Sequence, residues 1–151
     1  MTHTIPISEI LVNKGGQVWS VAPETTVLDA IKMMADKNVG ALLVTKEGRL
    51  TGIISERDYT RNVVLKGRSS KDTTVREIIS GRVVSVSPDH TVEDCMRLMT
   101  EHRIRHLPVV QGSKIIGVIS IGDLVNTIIS SQNSAIQQLE TYITGLPTPS
   151  V

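Results

Sequence analysis

The sequence predicts an α+β protein made of two pseudo-symmetric β-α-β-β-α units packed sheet to sheet. Three observations lead there. The chain matches itself at an offset of 65 residues, and 14 of the 42 aligned positions over 18–59 and 83–124 are identical, without a gap. Short β-branched runs and helical apolar stripes recur in the same order in both copies. The whole chain is 151 residues with 40% apolar content, whereas one copy of about sixty residues makes a marginal core alone, so the two should share one.

The elements follow in order. A prefix, Ile7-Ser-Glu9-Ile10-Leu11, resembles Val75-Arg-Glu77-Ile78-Ile79 at an offset of 68, which leaves the loop Asn13–Gln17 three residues longer than its counterpart. Val18–Val21 is a short strand ended by Pro23, matched by Val83–Val86 before Pro88. Thr26-x-x-Asp29 and Thr91-x-x-Asp94 are helix starts in which a Thr hydroxyl accepts a backbone N–H. The stripes Val27, Ile31, Met34 and Val92, Met96, Met99 have the i, i+4, i+7 spacing of amphipathic helices. Two strands follow in each copy: Ala41–Thr45 and Leu50–Ile54 across a Glu47-Gly48 turn, then Leu107–Val110 and Ile115–Ile119. Second helices begin at Ser55 and Ser120. The expected organisation is one repeat over 7–66, a linker over 67–74, a second repeat over 75–132, and a C-terminal helix and tail over 133–151. The linker region, Lys66–Thr74, is polar and breaker-rich and reads as solvent-exposed. Gly145-Leu-Pro-Thr-Pro149 reads as a frayed end.

Composition removes several functions. Sixteen Lys+Arg balance fifteen Asp+Glu, so bulk charge does not select a polyanionic partner. No Phe, one Trp and two Tyr are too few rings for a single-strand nucleic-acid platform. A lone Cys95 excludes an internal disulfide framework and a cysteine zinc site. The opening Met1-Thr2-His3-Thr4 lacks a signal-peptide pattern, and no run approaches the length of a membrane span, so a soluble, cytoplasmic protein is expected.

Several residues carry chemistry on one reading and plain structure on another. Ser55-x-x-Asp58 and Ser120-x-x-Asp123 sit where a strand hands over to a helix. They make an ordinary capping box; equally, a helix N-terminus offers N–H groups to an anion, and an aspartate there can accept both ribose hydroxyls. The residues between them differ, Glu56-Arg57 against Ile121-Gly122, so two such sites would be inequivalent. Arg105 and His106 align with the small Gly40 and Ala41. They form either a solvated face or a phosphate-binding edge, with Gly40 and Ala41 leaving space for the same phosphates. Arg57 and Arg61 divide the same way. His102 and His106 have metal-like i, i+4 spacing, but Ile104–Leu107 reads as strand, so no metal site is expected. Cys95 aligns with Ala30 as a small buried thiol, with no base to make it a nucleophile. Trp19 aligns with Val84 and is packing or recognition.

The pattern V-x-P-x-x-T-V, an amphipathic helix, L-P-V-V and G-h-I-S-x-x-D, present twice, resembles a tandem pair of cystathionine-β-synthase (CBS) domains, a Bateman module. The likeness spans about 7–129. Gly52-Ile-Ile-Ser-Glu-Arg-Asp-Tyr59, Gly67-Arg-Ser-Ser70 and Arg103-Ile-Arg-His-Leu-Pro108 are similar to small stand-alone CBS-pair proteins. The resemblance implies a non-enzymatic regulatory module that binds AMP, ADP, ATP, NAD or S-adenosylmethionine at clefts between the repeats. It further implies that Asp58 and Asp123 hold ribose, that Arg105 and His106 face phosphate, that the start of the strand at Trp19 contributes to the adenine pocket and that the strand with Pro108 lines the cleft, with Arg57 a further phosphate candidate. Ser55, Ser120, Ile121, Gly122, Gly40 and Ala41 complete the expected contacts. A homodimer built on helices is implied too, with Ile128, Ile129, Ile136, Leu139 and Ile143 as apolar surface, together with an unidentified regulated protein. No catalytic cofactor is expected. The rivals are an enzyme, for which only His106 plus a carboxylate is available, and an interaction or nucleic-acid module using Arg97, Arg103, Arg105 and Lys114.

Overall fold

The computed structural model describes residues 4–15, 17–79 and 82–144. In chain order the elements are α1 (Ile7–Lys14), β1 (Ser20–Val21), α2 (Val27–Lys37), β2 (Ala41–Lys46), β3 (Arg49–Ser55), α3 (Glu56–Tyr59), a π-helical turn (Thr60–Val64), α4 (Val75–Ile78), α5 (Val92–His102), β4 (His106–Gln111), β5 (Lys114–Ser120) and α6 (Ile121–Thr144). The expected tail, Gly145–Pro149, lies outside the described residues. The chain is mixed α and β with two repeats, each having a small sheet and its helices. No helix among the described residues is long and apolar enough to cross a membrane.

The chain divides into two compact units whose limits differ from those of the sequence repeats. One gathers the chain from β1 through α4 together with Pro108–Val118; the other gathers α1, Val86–Leu107 and the chain from Ile119 onward. Each repeat therefore contributes its leading helix to the unit that contains the other repeat's long helix.

In the first of these units the sheet order is β1-β2-β3. β1 runs parallel to β2 in the register Ser20↔Leu43 and Val21↔Val44. β2 and β3 are antiparallel from Ala41↔Ser55 to Lys46↔Arg49, with an irregularity between Val44 and Thr45. Glu47 and Gly48 both have positive φ, 52° and 78°, the backbone of a two-residue hairpin turn whose twist matches the flanking strands. Val21, Val27, Ala30, Met34, Leu42, Val44, Ile54, Val63, Val75 and Ile78 form the core, with Trp19 and Tyr59 packed against it.

The other repeat keeps a two-stranded sheet, β4-β5. Its expected first strand, Val83–Val86, is not a strand; Val86 alone takes a bridge position. Pro108 gives the reason. In the first repeat the Leu43 N–H donates to the Trp19 carbonyl at 3.1 Å, and the residue that aligns with Leu43 is Pro108, which has no N–H to give.

The long helices are built alike. Asp29 N–H donates to Thr26 Oγ1 at 3.2 Å and Asp94 N–H to Thr91 Oγ1 at 3.2 Å; Asn38 and Arg103 close the two helices in the left-handed region. The buried face of α2 is Val27, Ala30 and Met34, and that of α5 is Val92, Cys95 and Met99, the same positions at offset 65. The core pairs Leu42 and Leu107, Val44 and Val109, and Ile54 and Ile119 repeat the correspondence. The second helices differ. After α3 the chain passes into a π-helical turn, while α6 runs on for 24 residues.

The expectation of a solvent-exposed linker needs correction. Most of 66–72 is exposed, but Thr73 is buried, and the segment docks on α2. Val27 N–H donates to the Thr73 carbonyl at 2.8 Å and Leu28 N–H to the Ser70 carbonyl at 3.0 Å. The first N–H groups of a helix have no partner inside it, so an outside carbonyl satisfies them. The same device recurs at α5, where Val92 N–H donates to the Ile5 carbonyl at 3.0 Å and Ile7 N–H to the His90 carbonyl at 2.9 Å.

Candidate ligand site

Each unit carries one Ser-x-x-Asp corner at the end of a strand. In the first, β3 ends at Ser55 and α3 begins. Ser55 N–H donates to Asp58 Oδ2 at 2.8 Å, Ser55 Oγ donates to the same oxygen at 3.0 Å, and Asp58 N–H donates to Ser55 Oγ at 3.3 Å. Ser55, Arg57 and Asp58 are half-buried and Glu56 is exposed. Gly40, just before β2, accepts the Glu56 N–H at 3.1 Å. Beside this corner lies an open depression of about 280 Å³ lined by Ile31, Met34, Ala35, Asn38, Val39, Gly40 and Glu56.

The second corner has the same frame. Ser120 N–H donates to Asp123 Oδ2 at 2.8 Å, Asp123 N–H donates to Ser120 Oγ at 3.1 Å, and Ile121 N–H donates to the Arg105 carbonyl at 2.9 Å. One partner is new. The Lys14 ammonium, at the end of α1, donates to Asp123 Oδ2 at 2.6 Å. Burial alone would raise the Asp123 carboxyl, but the Lys14 ammonium and the Ser120 N–H outweigh it and hold it below its ordinary value. This contribution to stability is present above the unfolded-state value and fades as the pH falls through the depressed one.

His106 opens β4 and is half-buried, next to the exposed Arg105. Burial lowers the His106 imidazole first, and the Lys14 and Arg105 charges lower it further against the pull of Asp123. The lowered value favours the neutral form of the ring at neutral pH.

The structure brings Gly40, Ser55, Arg57 and Asp58 to one corner and Arg105, Ser120, Ile121, Gly122 and Asp123 to the other, with Ala41 and His106 as the opening residues of β2 and β4. Pro108 is buried within β4. Trp19 is half-buried, and the Lys37 ammonium stands 4.4 Å from the centre of its ring, so one face is already covered by a cation. The reading of each helix N-terminus as an open anion cradle is narrowed. At both corners the N–H of the first helical residue goes to the Gly40 or Arg105 carbonyl, and that of the third to the serine hydroxyl. Arg61 is exposed on the π-helical turn. His102 ends α5 and His106 opens β4, so the two share no helix face. Among the described residues no cluster of three or more His, Cys, Asp or Glu side chains could hold a metal ion. Cys95 is buried, and burial, with the Asp94 charge, pushes its thiol up to about 11, the value of an inert thiol. Sequence reasoning missed Lys14. The only signal was a basic residue in the last turn of the prefix helix, 109 positions from its partner.

A duplicated α/β repeat with a Ser-x-x-Asp corner at the end of a strand in each copy defines the class of tandem regulatory modules. The chain belongs to the CBS domain family, which matches it over residues 7–65 and 75–130. The CBS domain-containing protein CBSX3, mitochondrial, of Arabidopsis thaliana is 41% identical over 149 residues, 92% of this chain and 72% of the relative. The structure of a CBS-domain protein from Burkholderia ambifaria MC40-6 superposes with a TM-score of 0.81 at 49% identity, covering 84% of this chain and 96% of that one. More distantly, the CBS domain pair of protein MJ0100, solved with 5′-methylthioadenosine and S-adenosyl-L-methionine, shares the fold with a TM-score of 0.74 at 20% identity, covering 85% and 98%.

Proposed function

We propose that the protein is a non-catalytic sensor of adenine nucleotides, binding AMP, ADP, ATP or NAD and reporting energy or redox state to a partner protein in the cytoplasm. The observation that carries this reading is the repeated Ser-Asp corner, in which the described hydrogen bonds of each aspartate side chain all fall on Oδ2. A carboxylate has about four acceptor positions, so Asp58 and Asp123 each retain Oδ1 for a vicinal ribose diol. Arg105 and Arg57 supply charge for phosphate, and His106 a neutral hydrogen bond. Gly40 and Ala41 keep the first corner open where Arg105 and His106 fill the second. The MJ0100 pair supports the reading to the extent that the shared fold accommodates adenosyl groups. Mass spectrometry of small molecules released from the purified protein tests it: an adenosine-containing ligand is expected, and a preparation that carries none and binds none when titrated with AMP, ATP and NAD overturns it.

Ligand choice follows from the aspartates. A carboxylate placed for ribose hydroxyls repels a 2′-phosphate, so NAD should bind more tightly than NADP. Equal calorimetric affinities for the two would remove the ribose role from Asp58 and Asp123.

We also propose a homodimer. Ile129, Ile136, Leu139, Tyr142 and Ile143 of α6 are all at least half exposed, and Ile128 is half-buried beside them. An apolar stripe of that length on one helix is costly to leave in water, and a second copy offers the same stripe. Light scattering at tens of micromolar protein should give twice the chain mass, and removal of residues after 130 should shift it to the monomer. A monomer mass for the full chain at that concentration contradicts the assignment.

A further inference from the structure

The apolar surface of α6 is ordered as well as exposed. Ile121, Val125, Ile129, Ile136, Leu139 and Ile143 are 37% to 73% exposed, and at the pitch of an α-helix they fall within an arc of about 80°. The buried Leu124 and the half-buried Thr127, Ile128 and Ser131 mark a separate face, the one by which α6 packs on its own unit. From Val125 onward the exposed stripe is a heptad pattern. Ile129, Ile136 and Ile143 stand seven apart, and Val125, Gln132 and Leu139 form a second series of seven interleaved with the first by steps of four and three. Isoleucine fills the a positions of that heptad, and valine and leucine two of its three d positions.

The same residues say what covers the stripe. β-branched residues at a with leucine at d favour two parallel strands. Between Leu124 and Thr144 the one charged residue is Glu140, so neither an acidic nor a basic partner is selected and two identical helices do not repel each other. Gln132 adds a register mark. An amide inside an apolar seam loses its water and needs a polar mate, and a second glutamine offers both a donor and an acceptor. In a parallel pair in register, Gln132 meets Gln132 of the partner subunit. In antiparallel packing the d positions face a positions, and those on either side of Gln132 are isoleucine.

We infer that α6 pairs with α6 of a second copy as a parallel, in-register, two-stranded coiled coil whose seam is the Ile129, Ile136, Ile143 series and the Val125, Gln132, Leu139 series. This rests on the homodimer reading above and fixes its geometry. Ser120 and Asp123 form the corner that opens the same helix. A parallel pair therefore brings the second corners of both copies to one end of the seam, with the helix axes roughly 8–10 Å apart.

The experiment is self-cross-linking of the full chain carrying Gln132→Cys, Leu139→Cys or Ser134→Cys, oxidised in air and separated without reductant. Gln132 and Leu139 are exposed in the single chain, and L139C reports the same geometry one heptad further on should Q132C not fold. Ser134 lies across the helix from the seam, and the native Cys95 is buried, so S134C and wild type set the background. A disulfide needs Cα atoms about 4.4–6.8 Å apart, a separation that like positions of the seam reach together only in a parallel, in-register pair. Q132C and L139C should each cross-link to themselves at least about tenfold more than S134C. A mixture of Val125→Cys and Leu139→Cys covers the antiparallel case: cross-links between the two variants in place of L139C with itself overturn the parallel seam. If light scattering gives a dimer yet Q132C and L139C cross-link no more than S134C, the seam is overturned while the homodimer stands. If it gives a monomer, the homodimer reading itself fails and takes this inference with it.

Discussion

Arg105→Ala should weaken AMP binding by about 10- to 100-fold and leave adenosine nearly untouched, since losing one charge-assisted hydrogen bond costs about 1.5–3 kcal/mol. The position suits the test. The Arg105 side chain is exposed, and its structural duty belongs to its backbone, whose carbonyl accepts the Ile121 N–H at 2.9 Å. Truncating the side chain removes charge without opening a cavity or unpairing that carbonyl. The two ligands differ only in the phosphate, so a guanidinium that reads phosphate must separate them. Parallel titrations of wild type and variant give the answer: equal losses for AMP and adenosine would show that Arg105 supports the corner without touching phosphate, and the assignment of the phosphate end would fall.

A second large effect is expected in the core. Leu107→Ala should lower unfolding free energy by about 2–5 kcal/mol, the range for removing a buried leucine and leaving part of the cavity behind. Leu107 is 0% exposed and its repeat partner Leu42 is 1% exposed, so Leu42→Ala should cost a similar amount. Leu107 lies in β4 directly after His106. Its loss should therefore also loosen the strand that presents the imidazole, whereas Leu42→Ala loosens β2 after Ala41. Urea unfolding of both variants measures the cost, and a loss below about 1 kcal/mol at either position would show that the site collapses around the gap.

Much of this architecture is legible in the residues. The buried positions of α2 and α5 follow from the periodicity of Val27, Ala30, Met34 and Val92, Cys95, Met99, and their starts from Thr26 and Thr91, because apolar spacing and capping are local properties. The Glu47-Gly48 turn is local too. What escaped depends on contacts between distant parts of the chain. The missing strand at Val83–Val86 turns on a single absent N–H at Pro108, which matters only once the strand order is known. The docking of Ser70 and Thr73 on α2 is a backbone contact, to which side-chain identity is nearly blind. At the corners, Ser55, Asp58, Ser120 and Asp123 announced themselves by motif, and the inequivalence of the corners was visible in Arg105 against Gly40. Lys14 was not, because an ion pair across 109 residues leaves no periodic trace.

The docking of each leading segment on the other repeat's helix has a consequence for descent. Segments around Ile5 and Ile7 close the start of α5, and segments around Ser70 and Thr73 close the start of α2. A gene encoding one repeat alone would make a chain whose long helix begins with bare N–H groups and whose leading helix has nothing to cover. Duplication therefore did more than double a Ser-Asp corner: it left two halves that inherit together, with neither able to be shed, shortened at its front or replaced by a foreign copy unless the newcomer brings the matching cap.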